Sequence, residues 1–374
     1  MITDLFSKDI SELYRTPIVQ QTSFWSILKK RLGVTTIAAD FKPRRDLLCT
    51  SLNRADGSDN DLLIMVRPAG SLGSIAYVPY GPEFEPDPEY HGAFLEELAE
   101  SLRSLMPSDC FMIRFDLCWE SYWAKDESFF DRSGEWMGEP EPFAQEIRFN
   151  SSTLNGNFRR ALSNVLPSNT VFIDLLDVEE SIINRMKPKT RYNIKLAGRR
   201  GVEVRVADID ELDVWYDLYN QTAKRNGIFI NDVRYFRELM SVNSYGTGSP
   251  AVALLLIAEI DTIPLASMFL ILSSGRASYL YGASSDMHRN MMAPYALQWR
   301  AIQIAKEYGC YQYDMFGVSP NSDASHPLSG LYRFKSGFGG DIFHSLGCWD
   351  YPFDIEKYNL FRTNEMTVQG YHLA

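Results

Sequence analysis

Histidine and cysteine are the residue types most often recruited for acid–base, nucleophilic or metal chemistry, and here neither falls in a productive pattern. The five histidines, His91, His288, His326, His344 and His372, include no pair at metal-ligand spacing. The five cysteines, Cys49, Cys110, Cys118, Cys310 and Cys348, include no Cys-x-x-Cys pair and are odd in number, so buried, reduced thiols of a cytoplasmic protein are expected. There is no Gly-x-Ser-x-Gly elbow and no phosphate-cradling loop of the Walker kind. Paired hydrolytic carboxylates cannot be singled out among 48 acids. No metal and no cofactor are therefore expected. What stands out instead is cationic. Arg185 to Arg205 holds eight bases against one acid, Glu203, and Lys187, Arg191 and Lys195 recur at four-residue spacing on one helix face. Such a row can track nucleic-acid phosphates. A solvated basic helix is the plainer alternative, and charge alone leaves both open.

The elements that must position these residues follow an α/β order. Leu62–Val66 and Ile75–Val78 read as strands around a turn at Gly70–Gly73, followed by a rigid Pro79-Tyr80-Gly81-Pro82 segment. Phe94, Leu95, Leu98, Leu102 and Leu105 recur at helical spacing, which predicts a helix over 89–106, and Phe111–Phe115 a strand ending at Asp116. Residues 119–145 read as an insertion or linker; Glu83 to Glu146 carries 17 acids and 4 bases, the pattern of a solvated surface. A second α/β segment opens at Thr170–Leu175. Helices are predicted over 178–200 and 208–226 with a strand at Val202–Val206 between them, then an antiparallel meander over 251–260, 263–273 and 276–282. A helix from Pro294 to about Tyr308, stopped at Gly309, leads to a strand at Tyr311–Met315. The similar order of the two segments points to a duplicated domain.

Composition bounds the reading. The 374 residues imply about two domains, and 45% hydrophobic with 23% charged residues is an ordinary globular balance. Disordered, collagen-like and disulfide-stapled classes are excluded. A net charge of −11 argues against a duplex-DNA binder, and no DNA partner is expected. The opening residues lack a basic region followed by an apolar core, and the longest apolar run, Ala251–Ala258, is far too short to span a bilayer. A cytoplasmic location is expected, with peripheral membrane contact available through a lipid-linked substrate.

The second segment resembles the acetyltransferase fold, in which coenzyme A meets a Gly-rich turn opening a helix. Here that turn reads His288-Arg289-Asn290-Met291-Met292-Ala293-Pro294, with no glycine, which argues against an acyl-CoA donor. Six further segments, in order, resemble the FemABX peptidyltransferases. They are Gln21-Thr22-x-x-Trp25-x-x-x-Lys29-x-x-x-Gly33, Tyr77-Val78-Pro79-Tyr80-Gly81-Pro82, Arg114-Phe115-Asp116, Lys189–Ile194 with Ala197 and Gly201-Val202, Thr222–Gly227, and Leu331-Tyr332-Arg333-Phe334-Lys335-x-x-Phe338-Gly339-Gly340. Asp116 departs from the family pattern in being followed by Leu117-Cys118, where proline is frequent.

The resemblance implies an α/β (α+β) protein of two tandem acetyltransferase-like domains with a cleft between them, placed here at 1–155 plus 346–374 and at 156–345. It looks like the compact type, without a coiled-coil arm. It implies transfer of an amino acid from aminoacyl-tRNA to the stem-peptide amine of a peptidoglycan precursor, nucleotide- or lipid-linked. An activated ester donor needs no metal, but the oxyanion needs a positive donor and the attacking amine a proton acceptor. By resemblance, Lys335 takes the first role and Phe334 stacks on the tRNA end. Lys29 and Arg225 grip the diphosphate, while Thr222, Phe229 and Tyr281 line the pocket. Lys187, Arg191 and Lys195 would hold the acceptor stem, and Asp116 is a candidate proton acceptor. Competing readings are a core Phe334 with a solvated Lys335, a solvated Lys29, a sheet-core Tyr281 and a structural Asp116. At the level of the whole protein they are an acyl-CoA-dependent N-acyltransferase and a non-catalytic precursor-binding protein.

Overall fold

The computed structural model describes residues 1–49 and 60–367. Its strands are β1 (Ile2–Lys8), β2 (Thr35–Pro43), β3 (Asn60–Pro68), β4 (Ser74–Val78), β5 (Cys110–Glu120), β6 (Arg159–Arg160), β7 (Asn169–Asp174), β8 (Glu203–Ala207), β9 (Ala251–Ile260), β10 (Ile263–Ser273), β11 (Arg276–Ser284), β12 (Gln312–Asp314) and β13 (Asp341–Pro352). They form one mixed sheet in the order β1-β2-β3-β4-β5-β13-β7-β12-β11-β10-β9-β8, with β6 on β13.

The two halves of this sheet are built alike. In the first, β2, β3 and β4 pair antiparallel, and the helix His91–Leu102 crosses over to place β5 parallel to β4. In the second, β9, β10 and β11 pair antiparallel, and the helix Ala293–Glu307 crosses over to place β12 parallel to β11. Parallel neighbours need such a crossover, and a helix supplies it. β13 joins the halves: Asp341–His344 pairs with β7, and from Ser345 onward the strand pairs with β5.

Side-chain alternation sorts the core into layers. On β10, Met268, Leu270 and Leu272 face the cluster under the helix Ala293–Glu307, whereas Phe269 and Ile271 face the opposite cluster. Being covered on both faces explains why this strand reads as a continuous apolar run. On β3, Leu62 and Ile64 pack under the helix His91–Leu102. Leu63 and Met65 point the other way, into a cluster that also takes Trp215 and Leu218 from the second half. The two halves therefore share a hydrophobic seam.

The structure changes several expected boundaries. The helix predicted over 178–200 is two helices, Glu179–Arg185 and Pro188–Arg199, because Pro188 lacks the N–H needed to continue the first. Strand β3 runs two residues beyond Val66, through Arg67. Residues 119–145 are not a detached linker: Trp119 ends β5 in the core, Trp136 is buried, and the helix Pro142–Phe149 begins within the segment. Among the described residues no helix is long and apolar enough to cross a membrane, and there is no coiled-coil arm between Leu212 and Val252.

Candidate functional site

Lys29 lies in the last turn of the helix Ser23–Arg31, whose first turn is capped by Thr22 Oγ1 accepting from the Trp25 N–H at 3.2 Å. Though charged, it is only 6% exposed. Its Nζ lies 4.9 Å from the Trp25 ring centre and 5.4 Å from that of Tyr235. Among the described residues no carboxylate stands within ion-pair distance of it. Burial, and then the Arg67 guanidinium, lower its pKa to about 8. It opens on a cleft also lined by Trp25, Met65, Arg67, Tyr77 and Leu166.

Asp116 sits directly behind this cleft. It is fully buried on β5, and its Oδ2 accepts from Tyr77 Oη at 2.8 Å and from the Leu166 N–H at 3.0 Å. Its Oδ1 has no hydrogen-bond partner among the described residues. Burial pushes its pKa up to about 6, against the lowering effect of the Tyr77 hydrogen bond. The carboxylate thus ties together two cleft-lining residues, through the Tyr77 hydroxyl and the Leu166 N–H.

Lys335 ends the short helix Ser329–Lys335 and is 5% exposed. Its ammonium donates to the carbonyls of Phe316 at 3.1 Å and Gly317 at 2.8 Å, and lies 5.1 Å from the Tyr279 ring centre. Burial lowers its pKa to about 7, with Asp314 opposing the shift. Gly317 packs so closely on Pro167 that a Cβ there would come within 2.8 Å of the proline ring. Leu166, one residue earlier, lines the Lys29 cleft. Lys335, Asp116 and Lys29 therefore gather around the Leu166–Pro167 segment.

The glycines of the Phe338-Gly339-Gly340 motif have a structural cause. Gly339 has φ +78°, and Gly340 presses on Phe172 and Ile173, so side chains at both are excluded. Phe334 packs edge-on against Tyr295 and Phe338, with ring centres 5.1 and 5.3 Å away. It is half-buried in the core of the second half as well as adjacent to Lys335.

The remaining expected residues spread along one side of the seam. Tyr281 Oη donates to Tyr235 Oη at 2.9 Å, which links it to the ring beside Lys29. Tyr279 and Tyr281 would share a strand face, but a bulge opposite Phe269/Leu270 turns them to opposite faces, Tyr279 towards Lys335 and Tyr281 towards Lys29. Thr222 Oγ1 accepts from the Ser284 N–H at 2.9 Å and donates to the Ser284 carbonyl at 3.1 Å, fastening the helix Leu212–Asn226 to the end of β11. Arg225 is engaged by Asp286, by both oxygens of Ser284 and by Thr222 Oγ1. Phe229, beyond the helix stop at Gly227, is 95% exposed.

In the basic run, Lys187 is the N-cap residue and meets Ser336 Oγ at 3.2 Å, immediately after Lys335. Arg191 turns inward to donate to the carbonyls of Asn184 and Met186 at 2.9 and 3.0 Å. Lys195 is exposed. At the glycine-free turn, Met291 and Met292 pack on the core, and the Arg200 guanidinium occupies the Asn290 carbonyl.

Two cleft residues escape the sequence reading, Arg67 and Tyr77 as a proton-bearing hydroxyl. The signal for Arg67 was its phase: 63, 65 and 67 alternate on the seam side of β3, so a charge there enters the interior.

Comparison with known proteins decides the family. The FemAB family model matches residues 14–262 and 254–365. The chain belongs to the FemAB family. Aminoacyltransferase FemA of Staphylococcus epidermidis is 29% identical over 103 residues, 28% of this chain and 25% of that protein. The lipid II:glycine glycyltransferase of Staphylococcus saprophyticus is 21% identical over 262 residues, 54% of this chain and 63% of that protein. Aminoacyltransferase FemB of Staphylococcus epidermidis is 25% identical over 252 residues, 51% of this chain and 60% of that protein. The chain thus spans less than two thirds of each of these FemAB-type relatives. The crystal structure of FemX, 16% identical, matches with a TM-score of 0.71 over 96% of this chain and all of that one, and shows the fold.

Proposed function

We propose that this protein is an aminoacyltransferase that moves an amino acid from aminoacyl-tRNA to the stem-peptide amine of a peptidoglycan precursor. The observation that carries the reading is Lys335: a buried cation oriented by two carbonyls, in a family with relatives named as aminoacyltransferases. The amine nitrogen attacks the ester carbonyl, the amide forms, and the ester C–O bond breaks to release the ribose hydroxyl. Lys335 donates to the oxyanion of the tetrahedral intermediate, where a preorganised donor counts most. With a pKa near neutrality it can also pass a proton to the departing hydroxyl. Asp116, closed off behind Tyr77, acts here as a positioning residue for that hydroxyl rather than as the amine's base; the substrate's own carboxylate can accept the amine's proton.

On this reading 1–155 plus 346–374 and 156–345 are the two domains, the cleft between them holds the precursor, and Lys187 with Lys195 guides the tRNA end towards Lys335. Arg191 is committed to backbone carbonyls, so its part is to hold the basic helix Pro188–Arg199 to the helix Glu179–Arg185 before it. The site faces the cytoplasm, where both substrates are made. The test is incubation with charged total tRNA and both nucleotide- and lipid-linked precursors, reading product mass. Ribonuclease added before the precursor should abolish the mass gain. Undiminished transfer from acyl-CoA in ribonuclease-treated material would remove the reading.

A further inference from the structure

A bulky side chain on a strained backbone needs a reason, and the positions that carry such strain here are few. Among the described residues six non-glycine residues hold φ in the left-handed region: Tyr80, Asp261, Thr262, His288, Met292 and Phe316. Asp261 and Thr262 form the two-residue turn between β9 and β10, where that conformation is the favoured one. His288 and Met292 bracket the glycine-free turn before the helix Ala293–Glu307. That leaves Tyr80, with φ +45°, and Phe316, with φ +59°. They follow strands in opposite halves of the sheet, yet their rings meet edge to face, with centres 6.3 Å apart at 78°.

Both strained positions are pinned by their surroundings. The Pro79 carbonyl accepts from Gln21 Nε2 at 2.5 Å, and the Gly81 N–H donates to the Asp116 carbonyl at 3.1 Å, so Tyr80 is fixed on both sides. The Phe316 N–H donates to Asp314 Oδ1 at 2.8 Å, and the Val318 N–H to the Asn169 carbonyl at 3.0 Å. Between these fixed points lie the two acceptors of Lys335. Phe316 supplies one carbonyl and Gly317 the other, and Gly317 rests on Pro167. Tyr80 Oη donates to the Pro167 carbonyl at 2.6 Å. Tyr80 therefore touches both supports of the acceptor pair, Phe316 through its ring and Pro167 through its hydroxyl.

Resting on the role proposed for Lys335, we propose that Tyr80 is a positioning residue for it: a side chain of the first half that sets the Phe316 and Gly317 carbonyls of the second, and through them the direction of the ammonium. A lysine stem rotates freely, so a fixed direction has to come from its acceptors. A donor to an oxyanion works by being aimed before the charge develops, and a displacement of about 1 Å can cost about a hundredfold in rate. The strain at residues 80 and 316 is then the cost of bringing an aromatic pair across the two halves to brace that aim.

The test is single-turnover transfer from charged tRNA across precursor concentrations, beside acetic anhydride labelling of Lys335 at pH 9 read by mass spectrometry, with the exposed Lys195 as internal reference. At that pH a lysine whose pKa is about 7 is neutral, so labelling reports access to its nitrogen independently of activity. Tyr80→Leu should lower the saturated rate about ten- to a hundredfold, leave the half-saturating precursor concentration within about twofold, and raise Lys335 labelling about threefold or more. Tyr80→Phe keeps the ring and loses one hydrogen bond, and should cost only about three- to tenfold. Phe316→Asn reaches the same contact from the other side: asparagine tolerates the left-handed backbone, so the turn is kept and the ring deleted. It should match Tyr80→Leu in rate and labelling, and the double variant should be no slower than the slower single one, because both remove one contact. Near-normal rates with unchanged labelling overturn the proposal. So does a raised half-saturating precursor concentration at a normal saturated rate, which would make Tyr80 a substrate contact, and so do losses that multiply in the double variant. If labelling rises as expected while wild type forms no aminoacyl product, the positioning stands and the transferase reading falls. If product forms and Lys335 labelling ignores both substitutions, only the positioning falls.

Discussion

Lys335 and Lys29 are the same residue at nearly the same burial, 5% and 6% exposed, on opposite faces of one sheet, yet their surroundings differ in kind. Lys335 has two carbonyl acceptors, and Asp314 favours its charge. Lys29 has aromatic faces and a second cation. The first lysine is oriented before any substrate arrives, as a donor must be if it acts on a transition state. The second is left electrostatically incomplete, as suits ground-state binding of an anion. Burial alone does not distinguish chemistry from recognition; the partners do.

The largest effect expected from this contrast is on turnover. Lys335→Met keeps length and stem but removes the charge, and should lower single-turnover transfer about a hundred- to a thousandfold at saturating precursor. The precursor's Michaelis constant should change little, because that charge meets its partner only as the intermediate forms. A near-normal single-turnover rate would reduce Lys335 to a tRNA contact.

Lys29 should reveal itself first in stability. Its folded pKa, about 8, lies below the ordinary lysine value of 10.5, so between these limits the unfolded chain binds more protons and stability rises with pH. Below pH 8 the lysine is charged in both states and the full burial penalty applies. Lys29→Met should therefore melt a few °C above wild type at pH 7, corresponding to on the order of 3 kcal/mol, with the gap closing towards pH 10.5. Melting curves of both proteins across that range check the sign, and a gap that grows with pH would contradict it.

Much of the architecture was legible because alternation and helical spacing report burial directly. The meander over 251–284 and the crossover helix ending before Gly309 appear where the pattern places them. The breaks were less legible. Pro188 splits a helix whose apolar spacing continues across it, and the β11 bulge that separates Tyr279 from Tyr281 leaves no mark in residue type. For the candidate site, motifs single out Lys29, Asp116 and Lys335, but whether a charge is answered depends on residues remote in the chain. Arg114 finds Asp350 and Glu365 more than two hundred positions away, and Arg67 finds no such partner among the described residues. That difference is invisible to spacing.

The smallest effect belongs to Arg225, and it separates the two ends of the seam. Motif resemblance gives Arg225 the same task as Lys29, so truncating either should cost about ten- to a hundredfold in precursor affinity. The structure makes them unequal. The Arg225 guanidinium is shared among Asp286, Ser284 and Thr222, and a ligand phosphate would have to draw it from a carboxylate already in place. Exchanging one anionic partner for another returns little net energy, whereas Lys29 has nothing to give up. Lys29→Ala should therefore weaken precursor binding by the full ten- to a hundredfold, and Arg225→Ala by less than about threefold. Asp286→Asn sharpens the comparison: it frees the guanidinium, so precursor should bind more tightly to it than to wild type if Arg225 can swing onto the ligand. Equal losses in Lys29→Ala and Arg225→Ala, with Asp286→Asn neutral, would show that the Asp286 pair opens readily and that both cations serve the phosphate after all.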